Sequence, residues 1–311
     1  MGRIVISMGH RQLEGNYNCV MMAGELQANN SKIKKLYLAG EATIRRSNLG
    51  LLRCAGEVRM DDSNLGDTKI AGGLRLHGTC KGNSLVVVGD LSAEYLECRI
   101  IRNGSLKSME NKEKSIVALR GRPVVAASGN VHVKPAGNVT VKSIRWSGTL
   151  KAETFENHYP IDLSNCDYEF KNIISSALLT CKGELVCSNF YSFGGIQCES
   201  INAENVVIVV NENIFVQSIG GSNIRICNRF HVDSLFKSLL KSVHYSNFAS
   251  EAGIVSIPTI EGDSICIEYT RSELVSGIDV KIGDLCIIDK VEYKSSIQVS
   301  PKAIVNEVVR L

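Results

Sequence analysis

Ala23-Gly24, Ala39-Gly40, Ala55-Gly56 and Ala71-Gly72 recur sixteen residues apart, and a fifth copy, Val88-Gly89, follows after seventeen. A short period held this regularly is the signature of stacked structural units, each too small to bury its apolar face until a neighbour covers it. The positions four and two before each glycine are Val20/Met22, Leu36/Leu38, Leu52/Cys54, Thr68/Ile70 and Leu85/Val87, with Thr68 the one polar residue among them. The positions two and four after it are Leu26/Ala28, Ala42/Ile44, Val58/Met60, Leu74/Leu76 and Leu91/Ala93, separated by Gln27, Thr43, Arg59, Arg75 and Ser92. That alternation is the period of a strand with one buried face.

Seven residues after the glycine stand Ser31, Ser47, Ser63 and Thr79, a polar corner able to satisfy its own backbone groups. Each unit therefore reads as strand, glycine corner, strand, polar corner and third side. Two strands and two corners leave no room for a helix. Coils stacked at about 4.8 Å would bring equivalent residues into ladders, each inward Leu, Val or Ile contributing about 1.5 to 3 kcal/mol by leaving water. Glycine suits the corner because it accepts positive φ and lets one coil approach the next. Parallel crossovers favour one hand, so the pattern predicts an all-β, right-handed parallel β-helix with coils of about sixteen residues. At roughly sixteen to eighteen residues per coil the repetitive parts would supply about fourteen coils, a rod of about 65 Å.

The 311 residues carry 35 basic and 32 acidic side chains, a balance that gives no electrostatic case for a nucleic-acid partner. The local cluster Lys32, Lys34, Lys35, Arg45 and Arg46 reads as a solvated side of the solenoid. The chain opens without a signal-peptide pattern and has no run of eighteen apolar residues, so a cytoplasmic location is expected. Its eleven cysteines are scattered, odd in number and without a C-x-x-C pair, which predicts buried reduced thiols, Cys54 foremost, and no structural zinc.

The regular repeat spans residues 1–101. Residues 102–122, rich in Lys, Glu and Arg, read as a surface excursion or linker, and 123–228 as an irregular continuation in which Ser128-Gly129, Ser147-Gly148 and Lys182-Gly183 echo the corner. Within 229–256 the pattern changes: Val232, Leu235, Phe236, Leu239, Leu240 and Val243 follow helical spacing, with Ser234, Lys237, Ser238, Lys241 and Ser242 opposite. This predicts one amphipathic helix, docked on its own solenoid or, through Leu235, Phe236, Leu239 and Leu240, on a partner or a membrane surface. Residues 257–311 return to β coils.

No catalytic constellation stands out. His10, His77, His132, His158, His231 and His244 form no metal-ligand motif, and neither a P-loop nor G-x-S-x-G is present. The expectation is a non-enzyme with no cofactor, no metal site and no catalytic residues. Hexapeptide acyltransferases are also β-helices, and Gly277 to Ile288 has a brief six-residue rhythm, but the dominant period is sixteen and no histidine lies there.

The run from Leu36 to Ile101, with Leu38-Ala39-Gly40-Glu41, Cys54-Ala55-Gly56-Glu57-Val58 and Val87-Val88-Gly89-Asp90-Leu91, resembles the bactofilins, polymer-forming bacterial cytoskeletal proteins. The ending, Glu261-Gly262-Asp263-Ser264-Ile265 through Val275, Gly277, Val280, Ile282-Gly283, Cys286 and Val291-Glu292-Tyr293, is similar to the ends of longer members of that group. The resemblance implies a right-handed β-helix that joins end to end into filaments without nucleotide, often near the inner membrane and the cell-wall machinery. Bactofilins are about half this length and uninterrupted, so the added second solenoid and helix mark a divergent member.

Three functions are therefore weighed: a self-associating scaffold, a non-polymerising module that displays a β face to a cell-envelope or morphogenetic partner, and an acyltransferase. For the scaffold, the chain's partner is itself. Val20 and Met22 at the first regular coil, and Ile297 and Val309 at the last, are the self-association candidates, with the N-terminal end expected to be the more adhesive.

Overall fold

The structure, a computed structural model, describes residues 3–104, 144–210, 214–228 and 253–311. These residues form one parallel β-solenoid of about twelve turns with coils of about seventeen residues, and no helix occurs among them. About fourteen coils are expected of the repetitive parts; the described residues hold about twelve, and residues 105–143 and 229–252 are not among them. The expected helix, with Leu235, Phe236, Leu239 and Leu240, falls among those residues, whereas Val255–Ser256 at the end of that segment is a strand of the solenoid.

The sixteen-residue register holds in space. Gly40 pairs with Gly56, Leu38 with Cys54, and Val58 with Leu74. Gly24, Gly40, Gly56, Gly72 and Gly89 all have φ between +122 and +140, and a Cβ on Gly56 would overlap the carbonyl of Gly40. Both the backbone conformation and the close approach of successive coils thus require glycine at this corner. At the opposite corner Ser31, Ser47 and Ser63 are buried and stacked. The N–H of Ser31 donates to Ser47 Oγ at 3.0 Å and that of Ser47 to Ser63 Oγ at 3.1 Å, while Ser47 Oγ–H turns back to Arg45 O at 2.7 Å. The expected fourth member, Thr79, is exposed. The corner there is one residue longer, and Cys80 takes the buried place, its thiol donating to His77 O at 3.8 Å.

One inward ladder runs nearly the whole length: Leu36, Leu52, Thr68, Leu85, Ile101, Phe155, Ile173, Phe190, Val206, Ile224, Ile265, Val280 and Ile297. Thr68, the polar exception of the sequence pattern, is buried with its hydroxyl donated to Leu65 O at 2.7 Å. Rungs lie fifteen to eighteen residues apart, except where Ile101 meets Phe155 and Ile224 meets Ile265. The register therefore carries on across both intervals, and the described residues of the second half continue the solenoid of the first. Wider coils after the first excursion are filled by aromatic side chains: Phe155 stacks on Phe170 at 4.7 Å, and Trp146 meets Phe155 edge-on at 6.0 Å.

Gly148 does not continue the glycine column. It pairs with Ala93, while Leu91 pairs with Trp146, so the column ends at Gly89. Gly183 turns with φ +71 but has no atom within 4 Å of where a Cβ would sit, so it serves the turn and not a close contact. A new glycine column, Gly221, Gly262 and Gly277, forms in the last coils. The expected linker also begins later than 102, because Arg102 and Asn103 complete the strand Leu91–Asn103.

Candidate functional site

The self-association candidates fall into two groups. Residues 3–17 form a coil of their own before the regular repeat: Gly9 lies against Gly24, Gln12 meets Gln27 at 3.4 Å, and Leu13 and Tyr17 are buried. Val20, at 0 % exposure, and Met22 are consequently core residues one coil in from the end. The terminal position passes to Val5, which packs against the core, and its alternating neighbours Ile4, Ile6 and Met8 point outward with exposures of 69, 77 and 85 %. This first strand is apolar on both faces, and the exposed Met21 extends the outer row.

At the other end Ile297 is the last rung of the long ladder and is half-buried. Val309 stands over Glu292 on the side of the coil, and the inward columns are topped instead by Val305 over Ile288 and Val308 over Val291. Ile288 and Val291 are fully buried; Val308 is 49 % exposed. One further coil on top would remove that surface from water.

A second inward column turns polar at mid-length. Val87 is followed by Asn103, Asn157, Ser175 and Ser192, all fully buried, before the column returns to Ile208. Asn103 Nδ2 donates to Asn157 Oδ1 at 3.1 Å and to Tyr159 O at 2.8 Å, and Asn157 Nδ2 donates to Ser175 Oγ at 2.9 Å. Asn103 Oδ1 has no partner among the described residues. Beside this column lies a charged group at the coil where the chain leaves for 105–143. Arg102 grips Glu156 through Nε at 2.5 Å and Nη2 at 2.8 Å. His158 brings Nε2 to 3.4 Å from Glu156 and Nδ1 to 3.1 Å from Ser176 Oγ. Burial alone would raise the Glu156 carboxyl, but the hydrogen bonds from His158 and Arg102 and their charge outweigh it and hold it near 2.

Serine, histidine and glutamate in a row invite comparison with a nucleophile-activating relay. The geometry is otherwise occupied. Ser176 is buried and also donates to Asn157 O at 3.1 Å, and its own N–H is spent on the same carbonyl at 2.8 Å. A relay also needs donors aimed at a developing oxyanion and space for a substrate, and this cluster lines neither of the two grooves along the glycine columns. The cluster is a clamp between coils.

His10 and His77 make exposed contacts of 3.3 Å with Glu25 and Glu94, while His132, His231 and His244 lie outside the described residues. Lys32, Lys34, Lys35, Arg45 and Arg46 are exposed, as a solvated side requires, and Arg45 pairs with Asp61 at 2.9 Å. All eleven cysteines are free thiols. Burial raises most of them, Cys54 to about 12. Among the described residues no group of three or more His, Cys, Asp or Glu could hold a metal ion, and no helix is long and apolar enough to cross a membrane.

Fold and surface together define a β-solenoid repeat protein in which, among the described residues, the first and last coils carry exposed apolar side chains such as Ile4, Ile6, Met8 and Val308. Compared with protein-family models, with curated proteins and with solved structures, the chain matches none.

Proposed function

We propose that this chain is a structural protein that self-associates through the ends of its β-helix, without nucleotide, in the manner the bactofilin resemblance implies. The observation that carries the reading is the apolar surface that the first and last described coils expose, Ile4, Ile6 and Met8 beside Val5 in one and Val308 beside Val305 in the other. A solenoid end offers unpaired backbone N–H and C=O groups beside apolar rungs, which is the template another strand uses. The winding is taken as right-handed, after the usual parallel crossover. A cytoplasmic position, beside the inner membrane or a cell-envelope partner, belongs to the same proposal.

Sedimentation velocity and negative-stain imaging at about tens of micromolar, the range where weak interfaces appear, test it. Multimers or filaments are expected. Val305→Glu with Val308→Glu, and separately Val5→Glu with Ile6→Glu, should each reduce them while the β-rich circular dichroism is retained. A clean monomer of the unaltered chain would overturn the scaffold reading in favour of a display module.

A further inference from the structure

We propose that Cys181 and Cys198 are a built oxidation site that closes a disulfide between successive coils when the protein meets a peroxide. Cys181 follows the two-residue strand Leu179–Thr180, and Cys198 follows Ile196–Gln197. These strands pair in parallel, Leu179 with Ile196 and Thr180 with Gln197, and the register carries on into the cysteines because the N–H of Cys181 donates to Gln197 O at 3.0 Å. The two residues thus occupy the same place in neighbouring coils. Their spacing is that of stacked strands, about 4.8 Å, within the Cα separation that a disulfide spans, roughly 4.4 to 6.8 Å.

The thiols already meet. The side chains of Cys198 and Tyr168 both lie close enough to Cys181 to interact with its sulfur. The hydrogen bond from Cys198 is the largest influence on Cys181 and lowers it, outweighing burial with help from Tyr168; the same bond and burial raise Cys198. Cys181 is therefore the sulfur of the pair that ionises more readily, and Cys198 the one that follows. Both lie just under the surface, 6 and 9 % exposed, next to the exposed Lys182 and Glu199. In the strand register three other thiols sit opposite residues that are not cysteine: Cys54 pairs with Leu38 and Ile70, Cys98 with Gly82 and Ala152, and Cys227 with Val209.

The chemistry balances with hydrogen peroxide as oxidant. Cys181 Sγ attacks one peroxide oxygen, the O–O bond breaks, and the other oxygen leaves as water with the thiol proton, giving a sulfenic acid. Cys198 Sγ then attacks that sulfur; the S–S bond forms, the S–O bond breaks, and the hydroxyl departs with the Cys198 proton as a second water. A dithiol returns the pair to two thiols. The bond would staple one mid-solenoid coil to the next, so it acts on the rod itself and not on its ends, and it stands whether or not the ends associate.

The test uses the full chain, reduced, freed of reductant and treated with hydrogen peroxide, then alkylated, digested without reduction and examined by mass spectrometry. A peptide pair joined through Cys181 and Cys198 is expected, lighter by two hydrogens and separated again by dithiothreitol, with the thiol titre of denatured protein falling by two. Cys181→Ser or Cys198→Ser should abolish the linked pair, and Cys54→Ser should leave it. Peroxide that oxidises other cysteines first, takes Cys181 to sulfinic acid with no linked peptide, or leaves both thiols intact would overturn the proposal. Mapping on the unaltered chain decides the matter even if a serine variant folds poorly.

Discussion

The indole Nε1–H of Trp146 donates to the carbonyl of Gly89 at 3.1 Å, joining residues 57 positions apart. Gly89 is the last member of the glycine column, and its carbonyl would otherwise lack the next coil's glycine backbone above it. Trp146 supplies the donor and its fully buried ring fills the inward place above Leu91. The side chain thereby closes one kind of coil and opens the next, wider kind lined by Phe155 and Phe170.

Trp146→Phe should keep most of the ring packing and lose the donor, at a cost of about 1 kcal/mol, whereas Trp146→Ala should cost about 3 to 5 kcal/mol. Thermal melting of the two variants checks the order. Equal losses would mean that the hydrogen bond to Gly89 contributes nothing.

The ladder register makes a sharper contrast. Ile70 is buried between Cys54 and Val87, while Arg59 is exposed on the outer column. Ile70→Asp should destabilise by several kcal/mol through an unpaired buried charge, and Arg59→Asp should shift stability by about 0.5 kcal/mol or less. Denaturant midpoints measure both, and similar shifts would refute the assignment of faces.

The corner glycines were readable because residues 20–72 repeat with a constant offset, so that one count located Gly24, Gly40, Gly56 and Gly72 and both strands around them. Beyond Gly72 the coils vary between fifteen and eighteen residues, which erases any fixed period although the ladder from Leu85 to Ile297 never breaks. The corner of the first coil is hidden for the same reason. Its Gly9 precedes Gly24 by fifteen, and its strand carries apolar residues on both faces, which hides the alternation. The polar column was illegible in a different way: Asn103, Asn157, Ser175 and Ser192 look like surface residues until the coils bring each to the next one's amide or hydroxyl. Gly148 misled because a Ser-Gly-Thr-Leu string resembles the corner while its register places it on Ala93.

Gly56→Ala tests the close approach of coils. A Cβ there would overlap Gly40 O, and φ of +140 strains any side chain, so a loss of about 2 kcal/mol or more is expected. Gly183→Ala is the control: it shares positive φ but meets no neighbour, and about 1 kcal/mol should suffice. A smaller loss at Gly56 than at Gly183 would show that the coils separate easily.

The clamp around Glu156 gives the solenoid an acid limit. Its carboxyl is lowered from 4.5 to about 2 in the folded chain; burial opposes the shift, and His158 and Arg102 impose it. A lowered carboxyl stabilises the fold above its unfolded value and loses that contribution as pH falls through the folded one, so the loss should run from about 4.5 down to about 2. The amount is on the order of 2 to 3 kcal/mol, the lower figure allowing for solvent screening at Arg102, a third of whose side chain is exposed. Glu156→Gln removes the titrating group but leaves Arg102 beside a neutral amide. The variant should therefore be less stable than the parent at pH 7 and should lose less than the parent between pH 5 and pH 2. Denaturant titrations across that range distinguish the cases. Parallel curves for the two proteins would place the acid sensitivity elsewhere and remove Glu156 from the account of how the coil at 102–104 is fastened to the coil at 156–158.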